Sequence, residues 1–449
     1  MACAALAQQE LPDLGSSVPQ AEARGKSYAI PAAEIVGFDV LLNRFDRQVY
    51  GKEYSVSTRT VRRNLHGPWV VDNDPFKVNQ FLHPYQGSMY HGFARSAGLG
   101  FWESLGYTFV GSALWEIAGE NTPPARNDQI ASGIAGSFLG EALFRMASLV
   151  LEKGYGSSLW REVSAAAISP PTGFNRLAFG ERFSAILESR NPAYYSRVQV
   201  GSSFTTHQQA GNSTESESNE LLVDYSMDYG LPGKPGYHYD RPFDYFTFQI
   251  TASSANAVES LSTRGLLFGT DYEVGKNYRG IWGLYGSYDY IAPQIFRVSS
   301  TALSLGTTGQ LTLSDSIVAQ GTILAGVGYA GVGTLHGTQK TDYHYGVAPQ
   351  ALLALRLIFG DRASLDLTAR DFFISNVAGA GTGGHDNIAR ADLSLTVRVL
   401  REHAIAVKYL WSRREATYPN LNDLGQTQGT LGLYYVYLGD KRFGAVDWR

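Results

Sequence analysis

Alternation of apolar and polar residues dominates the C-terminal half of the chain. In VDYSMDY, which starts at Val223, apolar or aromatic residues alternate with aspartate and serine. FTFQITA from Phe246 and ADLSLTVRV from Ala391 follow the same rule. Successive side chains of a β-strand point to opposite faces, so this period of two is typical of strands with one apolar and one polar face. The pattern predicts β-strands throughout this half.

Twelve such segments follow one another, with starts near residues 194, 219, 244, 258, 278, 297, 319, 344, 363, 387, 403 and 428. Most span about 9–15 residues, enough for a tilted strand to cross a bilayer, whereas ordinary globular strands have about 5–6. An even number of strands permits closure, and lipid tolerates no unpaired strand edge. The sequence predicts a mainly β fold in which residues 192–449 form a transmembrane antiparallel β-barrel of about 12 strands. A soluble β-sandwich and an exported solenoid are the alternatives.

The polar face of these strands carries charges of both signs, while the opposite face is almost uncharged. Charges of opposite sign at matched phase suit a narrow lumen filled by ion pairs rather than a water-filled pore. The residues expected in the barrel lumen are Asp224, Asp228, Arg264, Asp366, Arg370, Arg390, Asp392, Arg398 and Lys408.

Residues 71–190 show a helical pattern instead. From Ile130 to Leu151 apolar residues recur with helical spacing, and Gly133, Ser137 and Glu141 stand four residues apart on one face. The pattern predicts a compact helical module whose function the sequence leaves open. We expect this module at the periplasmic mouth of the barrel or at the inner leaflet.

The N-terminus is similar to the end of a secretory signal. In MACAALAQQE, Ala5-Leu6-Ala7 forms a small-x-small cleavage site. Residues 1–7 are therefore expected to be a signal-peptide remnant, and residues 8–70 an extended, partly ordered lead-in. The single cysteine, Cys3, falls in the remnant, which is compatible with export to an oxidising compartment.

Composition agrees with an envelope protein of many strands. Only 17% of the 449 residues are charged, whereas Tyr (27), Phe (22) and Gly (49) are abundant, as expected for aromatic girdles and tight turns. A formal net charge of -4 gives no reason to expect a nucleic-acid partner. The sequence has no uncharged apolar run of about 18 residues, so a typical single transmembrane helix is not expected.

Two carboxylates stand close together inside the apolar helical pattern. Glu116 and Glu120 are four residues apart, and like charges at that spacing repel unless a cation or a proton lies between them. They are either half of a metal or acid–base site, or one of them pairs with Arg95 or Arg126 while the other is solvated.

Further charged residues of the module have alternative roles. Glu141 and Arg145, four apart with the acid first, predict a helical ion pair. Asp128 is expected at a helix N-cap or in the first turn. His83 precedes Pro84, which predicts an extended or turn segment, with His83 as a structural residue or a metal ligand. The candidate polar network is His83, Arg95, Glu103, Glu116, Glu120, Asp128, Glu141 and Arg145.

Established catalytic signatures are missing from the sequence. It contains no HExxH, GxSxG, CxxC, phosphate-binding loop or dinucleotide-binding fingerprint. We therefore predict no metal site and no cofactor, and we assign no catalytic residue.

The module and the downstream strands resemble an uncharacterised bacterial outer-membrane family, catalogued as a domain of unknown function with an N-terminal helical region. The resemblance is dense over residues 71–152, looser across the barrel, and implies an envelope location without an established activity. One departure is the C-terminus Asp447-Trp448-Arg449, since outer-membrane barrels usually end in an aromatic residue that the assembly machinery reads. The matching residues are Asn79, His83, Pro84, Gly87, Tyr90, Arg95, Gly98, Trp102, Glu103, Ser104, Trp115, Glu116, Glu120, Pro124, Asp128, Gly136, Gly140 and Glu141.

These observations predict a protein of the Gram-negative outer membrane with a structural or transport-related role. The expected partners are outer-membrane lipid, the outer-membrane assembly machinery, and envelope lipids or small solutes that pass through or dock. The alternative is a lipid-modifying envelope enzyme that uses carboxylates and histidines of the module or of the barrel rim.

Overall fold

The computed structural model describes residues 25–448 except 73, 154–157, 185, 210–211, 294–295, 335–342, 379–383 and 418–422. The expected signal remnant, residues 1–7, lies outside the described residues. Short π-helical turns, Val78–Leu82 and Ala131–Ala135, lead into α3 and α6. The helices are α1 (Ala29–Val49), α2 (Thr58–His66), α3 (His83–Ser96), α4 (Phe101–Ala118), α5 (Arg126–Ile130), α6 (Gly136–Lys153), α7 (Ser158–Ile168) and α8 (Pro170–Phe179).

Twelve antiparallel strands follow and close into a barrel in which β1 pairs with β12. The predicted fold class, a closed antiparallel β-barrel after a helical N-terminal part, is confirmed. The strands are β1 (Tyr194–Gln209), β2 (Asn212–Tyr229), β3 (Phe246–Ser253), β4 (Ser260–Val274), β5 (Tyr278–Ile291), β6 (Phe296–Ser314), β7 (Ile317–Thr334), β8 (Tyr343–Phe359), β9 (Ala363–Ala378), β10 (His385–Leu400), β11 (His403–Thr417) and β12 (Leu424–Leu438).

The outward-facing side chains of the barrel are apolar. Leu395, Ile405 and Leu433 are 46%, 49% and 61% exposed, while their strand neighbours of opposite phase, such as Thr396 and Ala406, are buried in the lumen. A closed wall leaves no unpaired backbone edge, and an apolar outer face satisfies lipid. The connections at residues 275–277, 315–316, 360–362 and 401–402 are short, and we call this end of the barrel the short-turn end.

The short-turn end of the lumen is closed by two segments of the chain. The plug, as we call them together, consists of residues 231–245 between β2 and β3 and residues 439–448 after β12. Tyr237 and Tyr239 of the first segment pack on inward-facing residues of the wall. Phe443 and Val446 of the tail are buried against inward-facing residues of β7, β8, β11 and β12. These aromatic and aliphatic side chains remove the mouth of the barrel from solvent.

The helical module lies along the outer wall of the barrel. Phe138 packs so closely on the outward-facing Gly286 that a Cβ there would approach the ring to 2.4 Å. Phe76 packs against Tyr290 in a tilted arrangement and edge-to-face against Tyr343, with ring centroids 5.9 and 5.3 Å apart. These contacts place the module on the wall, so the position expected at the periplasmic mouth is wrong, while the position at the inner leaflet stays a prediction. The apolar face of α6 instead matches the outward aromatic residues of the neighbouring strands.

Within the described residues, one continuous helical stretch, Arg126–Lys153, is long and apolar enough to span a membrane. It comprises α5, the second π-helical turn and α6. In its most apolar part 83% of the residues are buried, because the stretch packs against α3 and the barrel wall.

Residues 25–70, the described part of the lead-in, are more ordered than the extended segment we expect from residues 8–70. Its α1 is a helix of 21 residues that places Ile35 and Phe38 against Tyr90 and Phe93 of α3. The sequence pattern is weak here because apolar residues lie on several faces of α1, whereas only a narrow stripe with Pro31, Ile35 and Asp39 is buried. Packing of that stripe stabilises the helix.

His83 lies in a helix, so the extended or turn segment predicted from Pro84 is wrong. The π-helical turn Val78–Leu82 lets the helix continue through the proline. Proline has no N–H to offer the carbonyl of Gln80, four residues earlier. The hydroxyl of Tyr288 in the barrel donates to that carbonyl at 2.5 Å instead. A local defect of the helix thus becomes a contact between module and barrel.

Replacement of Gly136 by leucine is expected to destabilise the module. A Cβ on Gly136 would lie 2.6 Å from the Cα of Gly87, and the neighbouring backbone cannot yield. Overpacking of this kind costs about 1–3 kcal/mol. Gly136→Leu should lower the thermal midpoint in detergent micelles and speed proteolysis of the module. The matched control is Gly106→Leu at an exposed helical glycine with no atom within 4 Å of its Cβ position. Equal midpoints for the two variants would contradict the close helix contact.

Candidate functional site

A closed ion network surrounds Glu141 in the centre of the module. Its carboxylate, which is fully buried, accepts hydrogen bonds from Arg95 Nε at 2.7 Å and from Arg145 Nε at 2.7 Å. His91 Nε2 lies 3.2 Å from the same carboxylate. Both oxygens therefore have cationic partners, and the group is occupied by structural contacts.

Arg145 extends this network from the module to the plug. Its Nη1 donates to Asp244 at 2.9 Å, and its Nη2 donates to the carbonyl of Pro242 at 2.6 Å. Asp244 is held on the other side by the backbone N–H of Arg241 at 2.8 Å. The hydroxyl of Tyr237 in turn donates to the Asp244 carbonyl. The guanidinium thus joins α6 outside the wall to the segment that fills the lumen.

A second cluster, formed by His83, Glu116 and Asp128, has no such compensation. One ligand atom from each lies within 4.8 Å of the others, and all three residues are buried. His83 Nε2 is 3.8 Å from Asp128 Oδ2, too far for a hydrogen bond. Among the described residues, no lysine or arginine forms an ion pair with either carboxylate. We call this group the His83 cluster.

Amide side chains hold a third acid beside the His83 cluster. Asn127 Nδ2 donates to Asp72 at 2.6 Å and to Asp128 at 2.9 Å, so one amide bridges the two carboxylates. Asn79 Nδ2 also donates to Asp72 at 2.6 Å. The same Asn127 amide lies 3.0 Å from the hydroxyl of Tyr345 on the barrel wall. The cluster therefore sits where the module meets β8.

Burial decides the protonation of this cluster. It lowers the pKa of His83 to about 4, so the imidazole is neutral at pH 7. Burial, followed by the charge of Glu120, raises the pKa of Glu116 well above its usual range. A neutral imidazole can offer a lone pair, and a buried carboxyl without a cationic partner retains its proton unless a cation replaces it.

The other candidate residues of the module serve local contacts. Glu116 does not pair with Arg95 or Arg126, as one alternative required; its Oε2 accepts the backbone N–H of Ala125 at 2.8 Å. α4 ends at Ala118, so Glu120 lies beyond the helix and accepts from Trp115 Nε1 at 2.7 Å. Glu103 caps the start of α4 at Gly100 and pairs with Lys26 at 2.8 Å. Asp128 lies in the first turn of α5.

The charged residues expected in the lumen all lie on the inward phase of their strands. Ion pairs between strands that are not neighbours in the sheet cross the lumen and show that these side chains meet inside the barrel. The crossing pairs are Arg197–Asp366 at 3.3 Å, Arg356–Asp228 at 2.9 Å and Arg370–Asp289 at 3.0 Å.

The remaining lumen residues have partners on adjacent strands or in the tail. The partners are Asp289 for Arg264 at 3.4 Å, Gln249 and Thr251 for Asp224 at 2.7 Å each, Ser412 for Arg390 at 3.2 Å, Asp392 for Lys408 at 4.0 Å, and the carbonyls of Asp440 and Lys441 for Arg398 at 3.3 and 2.5 Å.

Two cavities remain between these ion pairs. One of about 140 Å³ is lined by charged residues including Arg197, Asp228 and Arg356. The other, of about 70 Å³, is lined among others by Glu259, Arg390 and Asp392. Arg370 and Asp392 line both cavities, so the two are neighbours in the lumen. Each cavity offers hydrogen-bond donors and acceptors to water or to a small polar solute.

Sequence reasoning missed several residues of these sites. Asp289 and Arg356 stand at inward positions of their strands, and the period of two contains the signal that finds them. Asp72, Asn127 and Asp244 lie in or beside irregular segments, where no periodicity indicates a partner. Only the tertiary fold brings them to the module network.

The fold and its outward face define the class of this protein, an outer-membrane β-barrel with a helical module on its wall. Residues 68–171 match a family described as a domain of unknown function, DUF3943. That range contains all three residues of the His83 cluster, whereas the barrel strands lie outside it. No curated protein matches the chain.

Several solved structures share the barrel outline. The chain is similar to the NanC porin, with 6% identity, a TM-score of 0.25, and coverage of 52% of this chain and 98% of that chain. A mutant of the TodX monoaromatic hydrocarbon channel has 10% identity and a TM-score of 0.25, with coverage of 62% of this chain and 94% of that chain. The translocator domain of the autotransporter NalP from Neisseria meningitidis has 15% identity and a TM-score of 0.24, with coverage of 61% of this chain and 97% of that chain. Similarity this low indicates nothing about a substrate.

Removal of the Arg145 charge is expected to loosen both the module and the plug. Arg145→Met leaves Asp244 and Glu141 buried with fewer cationic partners, and the loss of one partner of a buried pair costs about 3–5 kcal/mol. Thermal unfolding in micelles and proteolysis within residues 231–245 measure the two effects. In the control, Arg413→Met, the lost pair with Glu415 lies at the surface, where about 0–1 kcal/mol is expected. A protected plug in Arg145→Met would contradict the coupling.

Proposed function

We propose that this protein is an outer-membrane passage for small polar solutes, closed at its short-turn end by the plug. The observation that carries the proposal is the charged lumen, in which two neighbouring cavities lie between cross-barrel ion pairs. A barrel that served only as a membrane anchor would not need polar cavities lined by both charge signs. Small solutes and water suit cavities of this size, whereas a lipid does not.

The way in which the tail is held supports a removable closure. Gln310 Nε2 donates to the carbonyl of Val446 at 2.7 Å, and Gln320 Nε2 donates to that of Gly444 at 2.8 Å. These are neutral hydrogen bonds, each with a net worth of about 0.5–1.5 kcal/mol. Trp448 adds a contact with Arg279, whose guanidinium lies 5.2 Å from the ring centroid. Such contacts can be exchanged for water when the tail leaves.

We further propose that module and barrel together form one architecture of the Gram-negative envelope. The family match over residues 68–171 and the continuous packing of α6 on the barrel wall support this. Short turns of outer-membrane barrels face the periplasm, so the plug would close the passage from that side. Outer-membrane lipid and the assembly machinery are the partners this placement implies.

Displacement of the tail is expected to open the passage. Phe443→Lys with Val446→Lys puts two cations into an apolar mouth beside Arg398, which lies 5.1 Å from the ring of Phe443. Unpaired buried charge is costly, so the tail should leave the lumen. Planar-bilayer recording should show small or no currents for the wild type and steady unitary currents for the double variant.

The charge-matched control for this experiment is Asp447→Lys at a residue whose side chain is 64% exposed. It changes the formal charge by the same amount as the double variant but leaves the buried anchors in place, so its currents should match the wild type. If the folded double variant shows no current at high protein load, the passage hypothesis is contradicted and a docking platform is favoured.

A further inference from the structure

We propose that His83, Glu116 and Asp128 bind a divalent transition-series cation, of the type of Zn²⁺ or Mn²⁺, that fastens the module to the barrel. The inference does not depend on the passage proposed above. It replaces the sequence-based expectation of no metal site, because the three residues stand 33 and 12 positions apart in the chain and only the fold brings them together.

The spacing of the ligand atoms suits one shared ion. Metal–nitrogen and metal–oxygen bonds of Zn²⁺ are about 2.0–2.2 Å, so two ligand atoms on one ion lie at most about 4.4 Å apart. The 3.8 Å between His83 Nε2 and Asp128 Oδ2 falls under that limit and exceeds a hydrogen bond. The ligand atom of Glu116 lies within 4.8 Å of the other two. Because this limit exceeds 4.4 Å, binding of one shared ion would draw the carboxylates slightly inward.

One carboxylate oxygen of the cluster lacks a hydrogen-bond partner within the described part of the chain. Glu116 is only 2% exposed, and its buried Oε1 has no hydrogen-bond partner among the described residues. The other oxygen of that carboxylate is fixed by Ala125 N–H. A carboxylate oxygen without a partner in a dry interior is costly, and a cation satisfies it directly.

Surrounding residues orient the ligands as they do in known metal sites. Ser132 Oγ lies 3.4 Å from His83 Nδ1, which leaves Nε2 to face the acids. Asn127 holds the second oxygen of Asp128 and also Asp72, an additional oxygen donor beside the cluster. An imidazole nitrogen among carboxylate oxygens favours transition-series ions over Ca²⁺ or Mg²⁺, which prefer oxygen alone.

Bound metal would tie four parts of the chain together. His83 belongs to α3, Glu116 to α4 and Asp128 to α5, while Asp72 lies in the irregular segment between α2 and α3. Asn127 and Gln80 reach the hydroxyl of Tyr345 on β8 at 3.0 Å each. An ion at the centre therefore stabilises both the helix bundle and its contact with the barrel wall.

The test uses full-length protein in detergent micelles, freed of metal by chelator, with Zn²⁺ as the probe. Titration calorimetry should show one equivalent bound, and Zn²⁺ should raise the thermal midpoint. His83→Gln and Asp128→Asn should each weaken binding more than tenfold, in line with the roughly 10–100-fold effects of perturbed metal sites. Affinity should also fall from pH 7 to pH 5, because protons compete for the carboxylates.

The matched control is His91→Gln, which replaces a buried histidine of the same helix that contacts Glu141 instead. It should retain the bound equivalent. No binding to the wild type, or equal binding by all variants, would overturn the proposal. Should His83→Gln not fold, X-ray absorption of the wild-type Zn²⁺ form decides: one imidazole with oxygen ligands supports the site, and any other number of imidazoles overturns it.

Discussion

The buried guanidinium of Arg145 is the interaction on which the rest of the structure depends. It has one anionic partner in its own helix, Glu141, and another in the plug, Asp244. Separation of these groups would strand charges in a dry interior, at a cost of several kcal/mol each. Arg145 therefore fixes the module against the plug segment 231–245, whereas the tail 439–448 has no contact with this guanidinium among the described residues.

The module contains two buried acidic centres that differ in their counter-charges. Glu141 is surrounded by Arg95, Arg145 and His91, and its two oxygens are fully used. The His83 cluster has a similar depth of burial but only a neutral imidazole for company. Glu141 thus stabilises the fold through its cationic partners, whereas the carboxylates of the His83 cluster have no cationic side chain among the described residues and are the ones we propose to bind a metal ion. Sequence spacing alone groups all of them in one stretch.

The barrel was predictable from the sequence, whereas the module's position and the His83 cluster were not. A period of two determines strand number, strand phase and the inward charges because each strand obeys it locally. Lumen partners such as Asp289 follow the same rule. The segments that carry Asp72, Asn127 and Asp244 obey no period, and His83 was misplaced because a π-helical turn accommodates Pro84. Contacts between distant irregular segments depend on packing, which a single sequence does not display.

The shortness of β3 has a consequence for the barrel wall beside it. Its ladder with β4 runs only from Phe246 opposite Gly265 to Thr251 opposite Ser260, while β6 and β7 pair along nearly their full lengths. Beside this seam, Phe243 and Asp244 continue the wall as irregular chain, and α6 covers it from outside. The helices of the N-terminal third thus stabilise the shortest strand pairing of the barrel. Because only six residue pairs join β3 to β4, the wall at this seam depends on packing against the helices as well as on its own backbone hydrogen bonds.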